Sequence, residues 1–465
     1  MLDPASPLPL RALIDWLEDG LLEREEAARL ALLAALAGEH LLLLGPPGTA
    51  KSELARRLHR TLAGTRYFER LLTRFSTPEE LFGPLSLKAL EDDRYERLTE
   101  GFLPTAGVAF LDEVFKANSA ILNALLTLLN EREFDNGTCR LRAPLVCAVA
   151  ASNEVPVDEA LRAFHDRFLL RVPVQPVGDE AFADLLALPP VATRPDPPAV
   201  LGTAQREALA QRSGEVALGD AVVQACAALR AWLAERKVVV SDRRWRQWIR
   251  LMRVEAAAEG REALDLLDLW TAPYVVSPEP ALSGEVAHWF ESALHGVGEA
   301  AAPWLTRAVE AFERQLDIEV AAPAEDGGAG STGDEAGKLA LARAIGQGDT
   351  GEAMPRLRSE LLESKLRRRW SPVHVAARVA QVDGVLAQAS TGLEEAQQRQ
   401  AQLHDSLRPR VFLPPGLAAR LYAAREGEVR VLDDLCTRLR AARAGFAALP
   451  VDEALTAEVP EPVAA

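Results

Sequence analysis

The chain has 465 residues, 48% of them hydrophobic, and carries 68 acidic against 52 basic side chains for a formal net charge of −16. That composition excludes disorder along the whole chain and suggests about three structural units at roughly 150 residues each. The acidity argues against general charge-driven nucleic-acid binding, which needs a local excess of Lys and Arg to neutralise phosphates.

The N-terminal segment MLDPASPLPLRALIDW lacks a basic stretch followed by a long apolar run, so no signal peptide is expected. The longest apolar runs, around Leu30–Ala37 and Leu41–Leu44, are broken by Gly38, Glu39 and His40 and fall short of the ~20 residues that cross a bilayer. Cys139, Cys147, Cys226 and Cys436 lie far apart, which speaks against a disulfide framework or a zinc knuckle. A reducing, cytoplasmic setting without a membrane span follows as the expectation.

Residues 1–190 alternate helical periodicity with the short apolar runs LLLLG (Leu41–Gly45), VAFLDE (Val108–Glu113) and LVCAVAAS (Leu145–Ser152), the pattern of a parallel α/β sheet. Leu41–Leu44 runs into Gly45-Pro46-Pro47-Gly48-Thr49-Ala50-Lys51-Ser52 and then a helical pattern, the strand–loop–helix context of a P-loop. Backbone N–H groups of such a loop bind phosphate oxygens, Lys51 adds a charge near the β- and γ-phosphates, and the Ser52 hydroxyl suits Mg²⁺. Ala50 stands where a glycine is usual, which is tolerable if that residue has helical φ/ψ. A Gly-Pro turn before a helix with a solvated lysine is the bland alternative.

Val108–Glu113 ends in two acids about sixty residues later, at the edge of a parallel sheet where ligands bind. Asp112 is placed to hold Mg²⁺ through water and Glu113 to act as general base on the attacking water. Asn153 follows the next buried run and could orient that water, although an Asn at a strand end is often only a turn former. Glu133–Ala143, with Asn136-Gly137 at its centre, reads as a β-hairpin.

Pro189–Val200 reads as a linker, and residues 191–303 as an all-α unit containing Trp232, Trp245, Trp248 and Trp270 as packing residues. Residues 304–338 are expected to form a helical connection and a Gly-rich flexible linker, Ala321–Lys338. Residues 339–448 read as a helical module: a long helix over Ser371–Leu407, a break at Pro409–Gly416 and a second helix over Leu417–Phe446, folded back as a hairpin. The basic cluster Lys365–Trp370 reads as a helix face, and residues 449–465 as a disordered acidic tail.

The motifs resemble those of AAA+ ATPases of the MoxR group, and within it the RavA proteins, from about Leu17 to Leu251. Carrying the likeness are LLTRFSTPEELFGPLSLKAL, FLDEVFKANSAILNALLTLLNEREFDNG, VAASNEVP and VSDRRWRQWIRL. The resemblance implies an α/β P-loop core over 1–190, an all-α lid over 191–303, and an ATPase that uses ATP and Mg²⁺. It implies that Arg167, in Phe164–Phe168, is an arginine finger acting on a neighbouring subunit, and that Arg243, with Arg244 as fallback, is a lid arginine touching the nucleotide in cis. It further implies that Pro84–Gly101 and the Glu133–Ala143 hairpin are insertions lining a ring, commonly a hexamer, that remodels a protein client. A von Willebrand factor A (vWA) domain protein is the partner typical of the group. The β-rich partner-binding domain of RavA is missing from the C-terminal half, which leaves its partner uncarried. A nucleotide-gated scaffold recruiting a partner through the C-terminal helices, or a chelatase-like motor subunit, are the alternatives.

Overall fold

The computed structural model describes residues 8–156, 158–189, 195–295, 301–323, 368–455 and 459–463. Most of the expected linker, the first helical stretch of the C-terminal module and Lys365–Arg367 of the basic cluster lie outside these residues.

Seven strands occur among them: β1 (Leu41–Leu44), β2 (Tyr67–Leu71), β3 (Val108–Asp112), β4 (Glu133–Asn136), β5 (Cys139–Arg142), β6 (Cys147–Ser152) and β7 (Leu170–Pro173). Five of them pair in parallel in the order β2-β3-β6-β1-β7, while β4 and β5 form a separate antiparallel hairpin. Strands β1 and β6 are buried throughout and β3 up to Asp112, because both faces of the sheet are covered. That double coverage is why they read as unbroken apolar runs. The register sets Leu44 level with Ser152 and Leu111 level with Ala150, which brings the carboxyl ends of β1, β3 and β6 together.

The helices of this core are α1 (Leu10–Glu18), α2 (Glu25–Ala37), α3 (Lys51–Arg60), α4 (Pro78–Phe82), α5 (Leu87–Glu91), α6 (Ser119–Glu131), α7 (Glu159–His165) and α8 (Phe182–Ala187). Helix α2 is buried from Ala27 to Ala37 and stops at Gly38, whose φ of 68° suits a glycine C-cap. An all-α lid follows: α9 (Thr203–Glu215), α10 (Asp220–Glu235), α11 (Asp242–Ala258), α12 (Ala272–Val275) and α13 (Pro280–His295). Trp248 and Trp270 are its largest fully buried side chains, and their indole N–H groups donate to Thr271 Oγ1 and Glu255 Oε1, both at 2.7 Å.

The chain divides into two compact units, Met1–Leu294 with Ser406–Ala419, and His295–Asp405 with Arg420–Ala465. The short segment that rejoins the first unit is held there by charge. Arg410, with a side chain 0% exposed, donates to Asp268 at 2.7 Å and pairs with Asp265, and Val411 N donates to Glu259 Oε1 at 2.7 Å.

The second unit is a bundle of α14 (Ala301–Ala321) with most of α15 (Pro372–Leu407) and of α16 (Pro415–Ala447). Arg443 pairs with Asp383, and Arg399 with Glu428 at 2.9 Å, so α15 and α16 run antiparallel. Helix α14 joins them through Leu305, Val309 and Phe312 and an ion pair between Glu313 and Arg438 at 2.6 Å. The expected disordered tail differs in its described part: Leu449 is buried, Trp370 and Val451 form a β-bridge, and Arg378 donates to Glu461 O at 2.7 Å. Apolar side chains among the acids give these residues something to bury, which charge alone did not reveal. Among the described residues, no helix is long and apolar enough to cross a membrane.

Candidate active site

Gly45 continues β1, its N–H donating to Ser152 O at 2.9 Å. A Cβ there would stand 1.8 Å from Val174 O, so only glycine lets the loop leave the sheet this way. Gly48 has φ 81°, and α3 begins directly at Lys51. Ala50 has φ 63° and ψ 22°, in the left-handed region rather than the helical one that would make alanine easy. The loop thus keeps a glycine conformation without a glycine, at a cost of roughly 1–2 kcal/mol.

Lys51 is 9% exposed, and its Nζ donates to Gly45 O and Pro46 O, both at 2.7 Å. Burial lowers its pKa, and Asp112 and Glu113 partly offset that. Lys51, Ser52, Asp112, Glu113, Ser152 and Asn153 line one cavity of about 330 Å³ with the loop residues Pro47–Ala50. Asp112 Oδ1 accepts from Glu113 N at 3.0 Å, and Glu113 itself has φ 51°, a strained geometry of the kind found at functional sites. Its carboxylate lies 3.3 Å from Lys116 Nζ. A hydroxyl and a carboxylate beside a buried lysine form a hard-oxygen donor set that fits Mg²⁺ together with phosphate.

Arg24 is a residue the sequence did not single out. Its guanidinium donates to Thr49 O at 3.1 Å, Glu23 O at 2.7 Å and Gln175 O at 2.6 Å, tying the phosphate loop to the chain beyond β7. Only tertiary structure reveals it, because its partners are all backbone carbonyls.

Arg167 and Arg243 are absent from the residues lining this cavity. They line another one, of about 500 Å³, with Glu39, Arg132, Arg206 and Arg250 among its walls. The Arg243 guanidinium donates to Asn130 Oδ1 at 2.9 Å, at the C-terminal end of α6. Helix α11 packs along α2 and α9. Arg244, the fallback, is 3% exposed and spends its donors on Asp166 Oδ1, Asp166 O, Phe168 O, Leu169 O and Val275 O, all within 3.0 Å. It clamps the lid to the segment that carries Arg167, and no donor is left for a phosphate.

Residues 9–193 match the family described as the MoxR domain in the MoxR-vWA-beta-propeller ternary systems, and residues 221–290 match an AAA lid domain. Two uncharacterized proteins of Methanocaldococcus jannaschii, MJ0079 and MJ0812, are 40% identical over 249 residues and 39% identical over 260 residues. Those matches cover 53% and 56% of this chain, and 64% and 69% of the two relatives. The chain belongs to the MoxR-type AAA+ family. Protein MoxR of Paracoccus denitrificans is 32% identical over 153 residues, 31% of this chain and 44% of that protein. In this MoxR-type chain the parallel core carries the phosphate loop and the all-α lid carries Arg243.

Proposed function

We propose that the chain hydrolyses ATP with Mg²⁺. What carries this is the convergence of Lys51, Ser52, Asp112, Glu113 and Asn153 on one cavity at the carboxyl edge of the sheet. The loop N–H groups and Lys51 bind the β- and γ-phosphates once Lys51 exchanges its carbonyl partners for phosphate oxygens. Ser52 and Asp112 would hold Mg²⁺, which when bound neutralises charge on those phosphates. Asn153 orients a water against the γ-phosphorus. Glu113 takes that water's proton as its oxygen bonds to phosphorus and the bond to the β-phosphate oxygen breaks, releasing ADP and phosphate.

Arg167 and Arg243 serve the nucleotide of a neighbouring copy, because both line a cavity apart from their own phosphate loop. A homo-oligomeric ring, as in the hexamers of RavA relatives, is then part of the active site. The chain then acts as a cytoplasmic, RavA-like remodeller of a protein client, in which Pro84–Gly101 and the β4–β5 hairpin face the client. The ternary systems that give the matching family its description point to a vWA-domain protein as partner. Phosphate release by the purified chain tests the catalytic assignment: Glu113→Gln should lower turnover at least 100-fold while keeping nucleotide binding. Unchanged turnover in that variant would refute the assignment.

A further inference from the structure

The cavity that holds Arg167 and Arg243 is more cationic than those two residues require. Arg132, Arg206 and Arg250 also line it, so that five arginines share it with the acids Glu39 and Glu207. Among the described residues none of the five forms an ion pair with a carboxylate, in a chain with 68 acidic side chains. Arg132 Nη1, Arg167 Nε and Arg206 Nε are buried without an acceptor. Such donors cost free energy until an anion fills them, and a guanidinium bonds phosphate with two donors at once.

The scaffold holds these groups in place independently of any ligand. Arg132 follows α6 at φ 58°, with Nη2 donating to Gly38 O at 2.6 Å. Arg206 projects from α9 with Nη2 on Thr203 Oγ1 at 3.1 Å, and Gln247 holds Glu39 at 3.0 Å. Four separate pieces of the first unit, the end of α6, the turn after α7, α9 and α11, thus present arginine to one space of about 500 Å³. Burial and, after it, repulsion from Arg243 lower the pKa of Arg167.

We propose that this cavity is a polyphosphate receptor in which Arg132, Arg206 and Arg250 extend the pair Arg167 and Arg243. The phosphates come from the nucleotide of a neighbouring copy or from a free polyphosphate. The neighbour as source rests on the trans arrangement proposed for Arg167 and Arg243, whereas the receptor itself does not.

Two arms separate the sources. In the first, pyrophosphate is titrated calorimetrically into full-length Lys51→Ala, whose own phosphate loop is weakened, and into the same chain carrying Arg206→Met and Arg250→Met. A tenfold or greater loss of affinity supports the receptor. In the second, Arg206→Met and Arg250→Met chains are assayed for ATP hydrolysis alone and mixed with Glu113→Gln chains. The neighbour as source requires a fall in kcat of at least tenfold with KM within about twofold, and mixed rings more active than the sum of the two preparations. Loss of pyrophosphate binding with unchanged hydrolysis assigns the site to a free polyphosphate. If neither binding nor hydrolysis changes, the proposal is overturned. Thermal melts of each variant, with Arg206→Lys as the conservative control, separate lost contacts from lost folding. A wild-type chain that hydrolyses no ATP defeats the ATPase reading, yet the pyrophosphate arm still decides the receptor.

Discussion

A left-handed alanine carries a Cβ that a glycine would not, and Ala50 carries it at the mouth of the phosphate loop. Ala50→Gly should stabilise the fold by about 1 kcal/mol or less, since relief of strain is partly offset by the greater freedom of glycine in the unfolded chain. A higher midpoint in urea with an unchanged slope would show it. The adjacent arginines of the lid differ more sharply. Arg244 is enclosed by five carbonyl or carboxylate contacts, so Arg244→Met should cost roughly 3–5 kcal/mol by leaving those acceptors and Asp166 unpaired. Arg243 is exposed and has one side-chain partner, so Arg243→Met should shift stability by less than about 0.5 kcal/mol. Comparing the two melts decides it: equal losses would contradict the division of roles.

Among elements, the β4–β5 hairpin and the segment from Pro84 to Gly101 are knit into one structure. Asn136 Oδ1 accepts from Arg97 N at 2.7 Å and its Nδ2 donates to Arg97 O at 3.1 Å, as a neighbouring strand would. Gly137, at φ 66°, stands where a Cβ would lie 2.0 Å from Tyr95 O, and Phe134 stacks on Phe82 at 5.2 Å. The Asn-Gly pair therefore makes the turn and also docks it. Asn136→Ala should leave two backbone groups of Arg97 unpartnered and cost roughly 1–3 kcal/mol locally. Amide exchange should quicken over residues 85–97 and 133–142 while β1, β3 and β6 keep their protection. Uniform loss of protection would show that the two segments are not a local unit.

At the scale of the whole molecule, buried histidines make the first unit acid-sensitive. Burial beside Arg171 and Arg244 pushes His165 down to about 3, and burial holds His40 well below its usual range. His40 Nδ1 accepts from Ala148 N at 3.0 Å and Nε2 faces Leu129 O at 2.9 Å, an arrangement for the neutral ring. The unfolded chain takes up protons near pH 6.5 that the folded chain refuses. Stability from His165 is therefore complete well above 6.5 and is lost as pH falls toward 3, by at most about 1.4 kcal/mol per pH unit, and His40 acts in the same sense. Glu255 and Glu259, raised by burial, act in the opposite sense, losing stability as pH rises through their folded values. Comparison with His165→Leu cancels the shared carboxylate contribution: the variant's stability should fall about 1 kcal/mol less than wild type between pH 6.5 and 5.5. Parallel pH profiles would rule out His165 as a source of acid sensitivity.

Local chemistry was legible from residue order. Four leucines before Gly45 make a doubly covered strand, Asn136-Gly137 makes a hairpin, and Pro409–Gly416 ends a helix, because periodicity and turn geometry act over a few neighbours. The strand–loop–helix turn at Gly45–Ser52 and the placing of Asp112 and Glu113 at a strand end were legible for the same reason: each is one strand end and the residues after it. The division between Arg243 and Arg244 was not, since one helical step of about 100° sends one guanidinium into the packed lid and the other to the cavity with Arg167. Arg24, Arg132, Arg206 and Arg250 left no signal in the sequence, where an isolated arginine looks like any surface charge. Tertiary structure alone decided which arginines are buried, which carbonyls they meet and which remain without an acceptor, because desolvation and partner geometry exist only once distant segments pack together.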